Sequence, residues 1–256
     1  MIKAVLFDVG GVLHTAVPDP AMMRKFYQDV LDILESNGTP LRVNAEELAA
    51  ILPPRAKEYK KYSEDTESEL PGVEILSRYY LKDFNLTKEQ LEPVAEKICY
   101  LYDSARNRLV PRPGLLDTIN KLHGMGMRMG IISNIISTTL VPEKLIEYGI
   151  AGYMETVVMS STSGIRKPNA KIFLIATDAM QLKPAECIYV GDTISRDVIG
   201  SRNAGMGYMI RIRYDNTSHK DSGFSNTEWK ADFNVDTFPE IVSVVESILK
   251  KQQGDA

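Results

Sequence analysis

Short apolar runs punctuate the chain at residues 2–7, 128–133, 156–159, 187–190 and 207–212. They lack strict polar alternation, the pattern of strands buried on both faces of a parallel sheet. Between the later runs, apolar positions recur at helical spacing. Leu115, Leu116, Ile119 and Leu122 line one face of a predicted helix over 113–123, with Pro113 at its start and Gly124 at its end. Similar patterns predict helices over 142–148, 169–180, 195–204 and 239–250. Strands alternating with helices imply right-handed βαβ units and an open three-layer α/β fold.

Residues 16–108 break this rhythm and read as almost wholly helical. Asn44 with Glu47, and Thr87 with Gln90, have the spacing of capping boxes. Pro93 either kinks the second of these helices or marks its true start. The expected organisation is a parallel-sheet core built from 1–15 and 109–256, with an all-helical domain inserted over 16–108. Linkers are expected near 15–20 and 109–113.

Composition narrows the function. A chain of 256 residues with net charge −4 has no electrostatic reason to bind nucleic acid or an anionic membrane. Cys99 and Cys187 lie in apolar surroundings far apart in sequence, as reduced core thiols do. No basic region precedes a long apolar stretch, and no segment approaches the roughly 20 apolar residues of a membrane span, so a cytoplasmic protein is expected.

In open parallel sheets, ligands bind beyond the carboxyl ends of the strands. The first strand delivers Asp8 into the turn Gly10-Gly11. The second ends in Ser133-Asn134, the third is followed by Lys167-Pro168, and the fourth runs into Gly191-Asp192 and on to Asp197. Taken singly, each is an ordinary turn, strand exit or helix cap. Together they bring carboxylates, a hydroxyl, an amide and an ammonium to one rim. That inventory suits phosphoryl transfer: one carboxylate attacks phosphorus, others hold a hard cation, and the remaining groups bind phosphate oxygens.

These four segments, in this order, resemble the motifs of the haloacid dehalogenase-like (HAD) hydrolases. The inserted helical block lies where that family's C1 cap domains occur. The resemblance implies a Rossmann-like core, a phosphatase-type hydrolase and Mg2+ as cofactor. It implies Asp8 and Lys167 as catalytic residues, with Ser133, Asn134 and Lys167 binding phosphate. The metal would be held by Asp8, the Gly10 carbonyl and Asp192, with Asp197 as a further ligand or just behind the ligands. The expected partner is a small phosphorylated metabolite; monomer and homodimer both stay open.

One position departs from the family pattern. Phosphatases of the family usually carry Asp two residues after the nucleophile, where it gives and takes the proton of the leaving alcohol; here Gly10 stands there. Such proton transfer is typically worth about 10²–10⁴ in rate. The site then needs a good leaving group, a substitute such as His14, or else serves as a weakly active or non-catalytic domain that binds a phosphorylated ligand. A 2-haloacid dehalogenase, which also uses the aspartate, is a further alternative. In the inserted domain, the many tyrosines read as packing residues, and Lys57, Lys60 and Lys61 read as a solvated face.

Overall fold

The computed structural model describes residues 1–214, 221–224 and 228–254. Its strands are β1 (Ala4–Phe7), β2 (His14–Pro18), β3 (Asn107–Pro111), β4 (Arg128–Ser133), β5 (Met154–Met159), β6 (Cys187–Gly191), β7 (Tyr208–Ile212) and β8 (Phe233–Val235). The α-helices between β2 and β3 are α1 (Pro20–Ser36), α2 (Ala45–Thr66), α3 (Gly72–Ile75), α4 (Lys88–Leu91) and α5 (Ala95–Ser104). Those that follow are α6 (Leu115–Gly124), α7 (Leu140–Glu147), α8 (Ser160–Ser163), α9 (Ala170–Ala179), α10 (Ile199–Asn203) and α11 (Glu240–Gly254).

Six strands form one parallel sheet in the order β5-β4-β1-β6-β7-β8. The α/β, Rossmann-like fold expected from the pattern is present. β1 shows why its run is apolar throughout: successive side chains point to opposite faces, and both faces are covered. Val5 and Phe7 join a cluster with residues of α6, α7 and α11. Ala4 and Leu6 join a second cluster that includes residues of α9 and β6. The strand order reverses at β1, between β4 and β6, which opens a crevice at their carboxyl ends.

The helical block has its own apolar cluster, running from Phe26 to Cys99, and it takes in one residue from the sheet domain, Ile136. Both capping boxes form: Asn44 accepts from Glu47 N while Glu47 bonds back to Asn44 N, and Thr87 and Gln90 do the same. Pro93 lies in a single 3-10 turn between α4 and α5, so the long pattern through it is two helices. Cys99 and Cys187 are free and buried, and burial pushes both thiols up, Cys187 to about 11.

The structure differs from the pattern in three places. The stretches expected as linkers pair instead as an antiparallel ribbon, β2 with β3. β8 extends the sheet with three residues, too few to show a period. The helix expected over 195–204 begins as a π-helical turn, Ile194–Val198, before α10. Such widened turns occur frequently at functional sites, and this one carries Asp197. Among the described residues, no helix is long and apolar enough to cross a membrane.

Candidate active site

The four segments singled out above converge at the carboxyl ends of β1, β4 and β6. Lys167 is their hub. Its side chain is 1 % exposed, and its ammonium lies 2.8 Å from Asp8 Oδ1 and 2.8 Å from Asp197 Oδ1. It also donates to Tyr189 Oη at 2.8 Å and reaches the Ile132 carbonyl at 3.3 Å. A buried ammonium is tolerable only when paired and hydrogen-bonded, and these partners meet that need.

Asp197 is saturated with donors. Its Oδ1 accepts from Lys167 Nζ and Tyr189 Oη, and its Oδ2 accepts from Asp192 N, Thr193 N and Thr193 Oγ1. Burial alone would raise this carboxyl. The charges of Lys167 and Arg196 and the bonds from Lys167 and Thr193 outweigh it and hold Asp197 well below the usual carboxylate range. At Asp8 the balance tips the other way: burial raises the carboxyl despite the lysine.

Ligand oxygens of Asp8, Asp192 and Asp197 all lie within 4.8 Å of one another. An all-oxygen set of this kind fits a hard divalent cation such as Mg2+. Two glycines make the cluster possible. Gly11 has φ +87°, and a Cβ there would stand 2.3 Å from Asp192 Oδ2; a Cβ on Gly191 would stand 2.4 Å from Asp197 Cβ. Because Asp197 is already bonded to its donors, Asp8 and Asp192 are the carboxylates best suited to a metal.

Ser133 is buried at the end of β4, and among the described residues its hydroxyl enters no hydrogen bond. Asn134 differs. Its amide nitrogen donates to the Lys167 carbonyl and its oxygen accepts from Lys167 N, both at 2.9 Å. The side chain is thus occupied in fixing the turn that presents Lys167. His14 faces away from this cluster in its contacts: its Nδ1 meets Tyr148 Oη at 3.0 Å, and burial lowers its pKa to about 4. At neutral pH the ring carries no proton to give beyond that of the neutral imidazole.

Several participants were not singled out from the sequence. Tyr189 and Thr193 complete the Asp197 shell; a phenol inside the otherwise aliphatic run before Asp192 was the available signal. From the helical block, Glu69 accepts from Ser160 Oγ at 2.7 Å and is bonded to Tyr59 Oη and Arg166. Asp103 accepts Ile136 N and Ser137 N at 3.1 and 2.9 Å. Glu96 accepts Ser137 Oγ at 2.6 Å and Thr139 Oγ1 at 2.9 Å. The helical block therefore grips the loops that follow β4 and β5, next to Asn134 and Lys167. Lys60 is also more than part of a solvated face, since it lines a cleft that opens onto Lys167.

The parallel sheet, the strand-end carboxylates and the buried lysine together define an enzyme of the α/β hydrolase class. The family pattern of the haloacid dehalogenase-like hydrolases matches residues 2–205, and the chain belongs to that family. A glyceraldehyde 3-phosphate phosphatase of Methanopyrus kandleri is 28 % identical over 256 residues, 98 % of this chain and 100 % of that one. Among solved structures, a 2-haloacid dehalogenase from Pseudomonas syringae superposes with TM-score 0.65 at 20 % identity, covering 96 % of this chain and 99 % of its own. A HAD phosphatase from Thermococcus onnurineus does so with TM-score 0.57 at 23 % identity, covering 95 % and 98 %. The structural likenesses are likenesses of fold; the Methanopyrus kandleri relative is a phosphatase.

Proposed function

We propose that the chain hydrolyses a small phosphomonoester of the sugar-phosphate class, with Asp8 as nucleophile and Mg2+ as cofactor. The observation that carries this reading is the Lys167 ammonium shared between Asp8 and Asp197, with Asp192 in the same cluster. The full-length similarity to a glyceraldehyde 3-phosphate phosphatase supports the substrate class.

Asp8, Asp192 and the Gly10 carbonyl would hold the metal, which when bound offsets the repulsion between a carboxylate and a phosphate. Lys167 keeps Asp8 aimed and supplies further positive charge. An Asp8 oxygen bonds to phosphorus as the ester P–O bond breaks, and the electron pair leaves on the alcohol oxygen. Water then attacks the same phosphorus, the P–O bond to Asp8 breaks, and the carboxylate returns. Ser133 contributes a hydroxyl to the phosphate oxygens. Asn134 acts by fixing the Lys167 turn, and Asp197 by orienting Lys167 and the Asp192-Thr193 backbone.

The test is a screen of phosphate esters with Mg2+, repeated with chelator and with Asp8→Asn. Turnover should need the metal and fall by roughly 10³-fold or more in the variant, the scale seen when a nucleophile is removed. Chelator-resistant halide release from a 2-haloacid would replace this reading with a dehalogenase. Binding of phosphate esters without turnover would replace it with a ligand-binding domain.

A further inference from the structure

Arg196 is a cation without a partner beside the strand-end cluster. It sits in the π-helical turn Ile194–Val198, next to Asp197. The residue is partly buried, and among the described residues its guanidinium enters no hydrogen bond and no ion pair. Burial works against its charge, but Asp197, Asp192, Asp8 and Glu64 outweigh it and keep the group ionised. Asp8 and Asp197 feel the guanidinium in return. Arg196 is therefore within electrostatic reach of the cluster without being bonded to it. A guanidinium carries five N–H donors, and leaving them unpaired away from water is costly.

The turn itself is firmly held. Asp221 accepts Ile194 N at 3.0 Å and Ser195 N at 3.1 Å, and it pairs with Arg211 at 2.9 Å. Asp197 is occupied by Lys167, Tyr189 and the Thr193 turn. The carboxylates that flank the turn are thus spent on other groups. A cleft of about 410 Å³ runs alongside, with Ser195, Arg196, Lys167 and Pro168 on the sheet-domain side and Lys60 and Glu64 on α2. The Lys60 ammonium has only a loose 3.8 Å contact with Glu64. Lys167 is neutralised by Asp8 and Asp197. Two cations with donors to spare, Arg196 and Lys60, therefore face a single carboxylate, Glu64.

Lys167 joins this cleft to the chemistry, since it lines the cleft and its ammonium lies 2.8 Å from Asp8. Among the described residues that line the cleft, neither Asp8 nor Ser133 appears. An anion seated there stands beside a phosphoryl group at Asp8 and does not replace it.

We propose that the cleft binds a second anionic group of the substrate, a carboxylate or a further phosphate, between Arg196 and Lys60. This deepens the phosphatase reading and rests on it: the substrate is a phosphate ester that carries another anion. The planar guanidinium can meet either group with two parallel N–H donors, and Lys60 adds a mobile point charge from the helical block. No bond is made or broken at this position; it decides which esters are held.

Matched esters separate this role from a general electrostatic one. 3-Phosphoglycerate differs from glycerol 3-phosphate by a carboxylate, and fructose 1,6-bisphosphate differs from fructose 6-phosphate by a phosphate. Titration calorimetry on the Asp8→Asn protein with Mg2+ should show at least one of the two richer anions binding about 10-fold or more tightly than its match. The pair that shows the preference names the source of the second anion. Arg196→Gln in the same background should weaken that ester about 10-fold, the low end for a charge-assisted hydrogen bond, and its match less than about 2-fold. Lys60→Gln, at a side chain 55 % exposed, should act in the same direction with a smaller loss. In otherwise wild-type enzyme the loss should fall on KM and spare kcat. Equal binding within both pairs, or equal losses across a pair in Arg196→Gln and Lys60→Gln, overturns the proposal. The phosphatase reading is scored separately, by wild-type turnover of 4-nitrophenyl phosphate and its collapse in Asp8→Asn.

Discussion

Asp197 at the strand ends and Asp103 at the junction with the helical block both accept backbone N–H groups, but only Asp197 also faces a lysine. Asp197 receives Lys167, Tyr189, Thr193 and two backbone donors, and it stays ionised. Asp103 receives Ile136 N and Ser137 N. Burial dominates there and pushes its carboxyl up to about 7, although Arg106 pulls the other way. The strand-end cluster holds its charges by pairing them. The junction leaves one carboxyl poised near neutrality beside the loop that carries Asn134. The difference teaches that burial alone does not decide the charge of a carboxyl; the cation and donor count around it does.

Removing the cation should break the first half of this contrast. Lys167→Met leaves Asp8 and Asp197 buried together with only the more distant Arg196 to oppose their charges. Loss of one partner from a buried ion pair typically costs about 3–5 kcal/mol. Urea denaturation should report a loss in that range; a loss below about 1 kcal/mol would mean that the cluster does not depend on its lysine.

The junction has a charged pair of its own, Glu69 with Arg166. Glu69→Gln keeps the shape and removes the charge, so the expected cost is smaller, about 1.5–3 kcal/mol for a charge-assisted bond. Because Arg166 precedes Lys167, KM for phosphate esters should rise along with the loss. Unchanged stability and KM would show that the grip of the helical block on this turn is unimportant.

The smallest effect concerns pH. A carboxyl raised from its ordinary 3.8 to about 7 binds its proton more tightly in the folded state. Its contribution to stability is full below 3.8 and is lost as pH rises through about 7. Asp103→Asn, which can still accept both backbone N–H groups on one oxygen, should flatten the fall in melting temperature across that window. An identical pH profile in the variant would contradict the raised value.

The strand-end chemistry was legible because it is local. Asp8, Ser133 and Asp192 close or directly follow apolar runs, Lys167 and Asp197 lie in the segments just beyond β5 and β6, and the strand-end rule brings such positions to one rim. Asn134 was legible as a position but not in its bonding. Its amide turned out to hold the Lys167 backbone, a contact between residues 33 apart that no local pattern specifies. Tyr189 hid inside a run read simply as apolar. Lys60 was hidden for a different reason. It stands on a long polar helix face, and only the docking of that helix brings it to a cleft shared with Lys167.

By itself, the sequence determined the alternation of strands and helices, the inserted helical block and the set of groups at the strand ends. Those properties follow from the period of side-chain burial and from turn chemistry, which act over a few residues. Tertiary structure alone decided which carboxylates keep a charge, because that depends on the cation and donors brought in from distant segments. It decided that Ile136 and the loop after β4 belong to the grip of the helical block. It also decided that Lys60 lines a cleft with Lys167, since a helix face acquires a direction only when it packs.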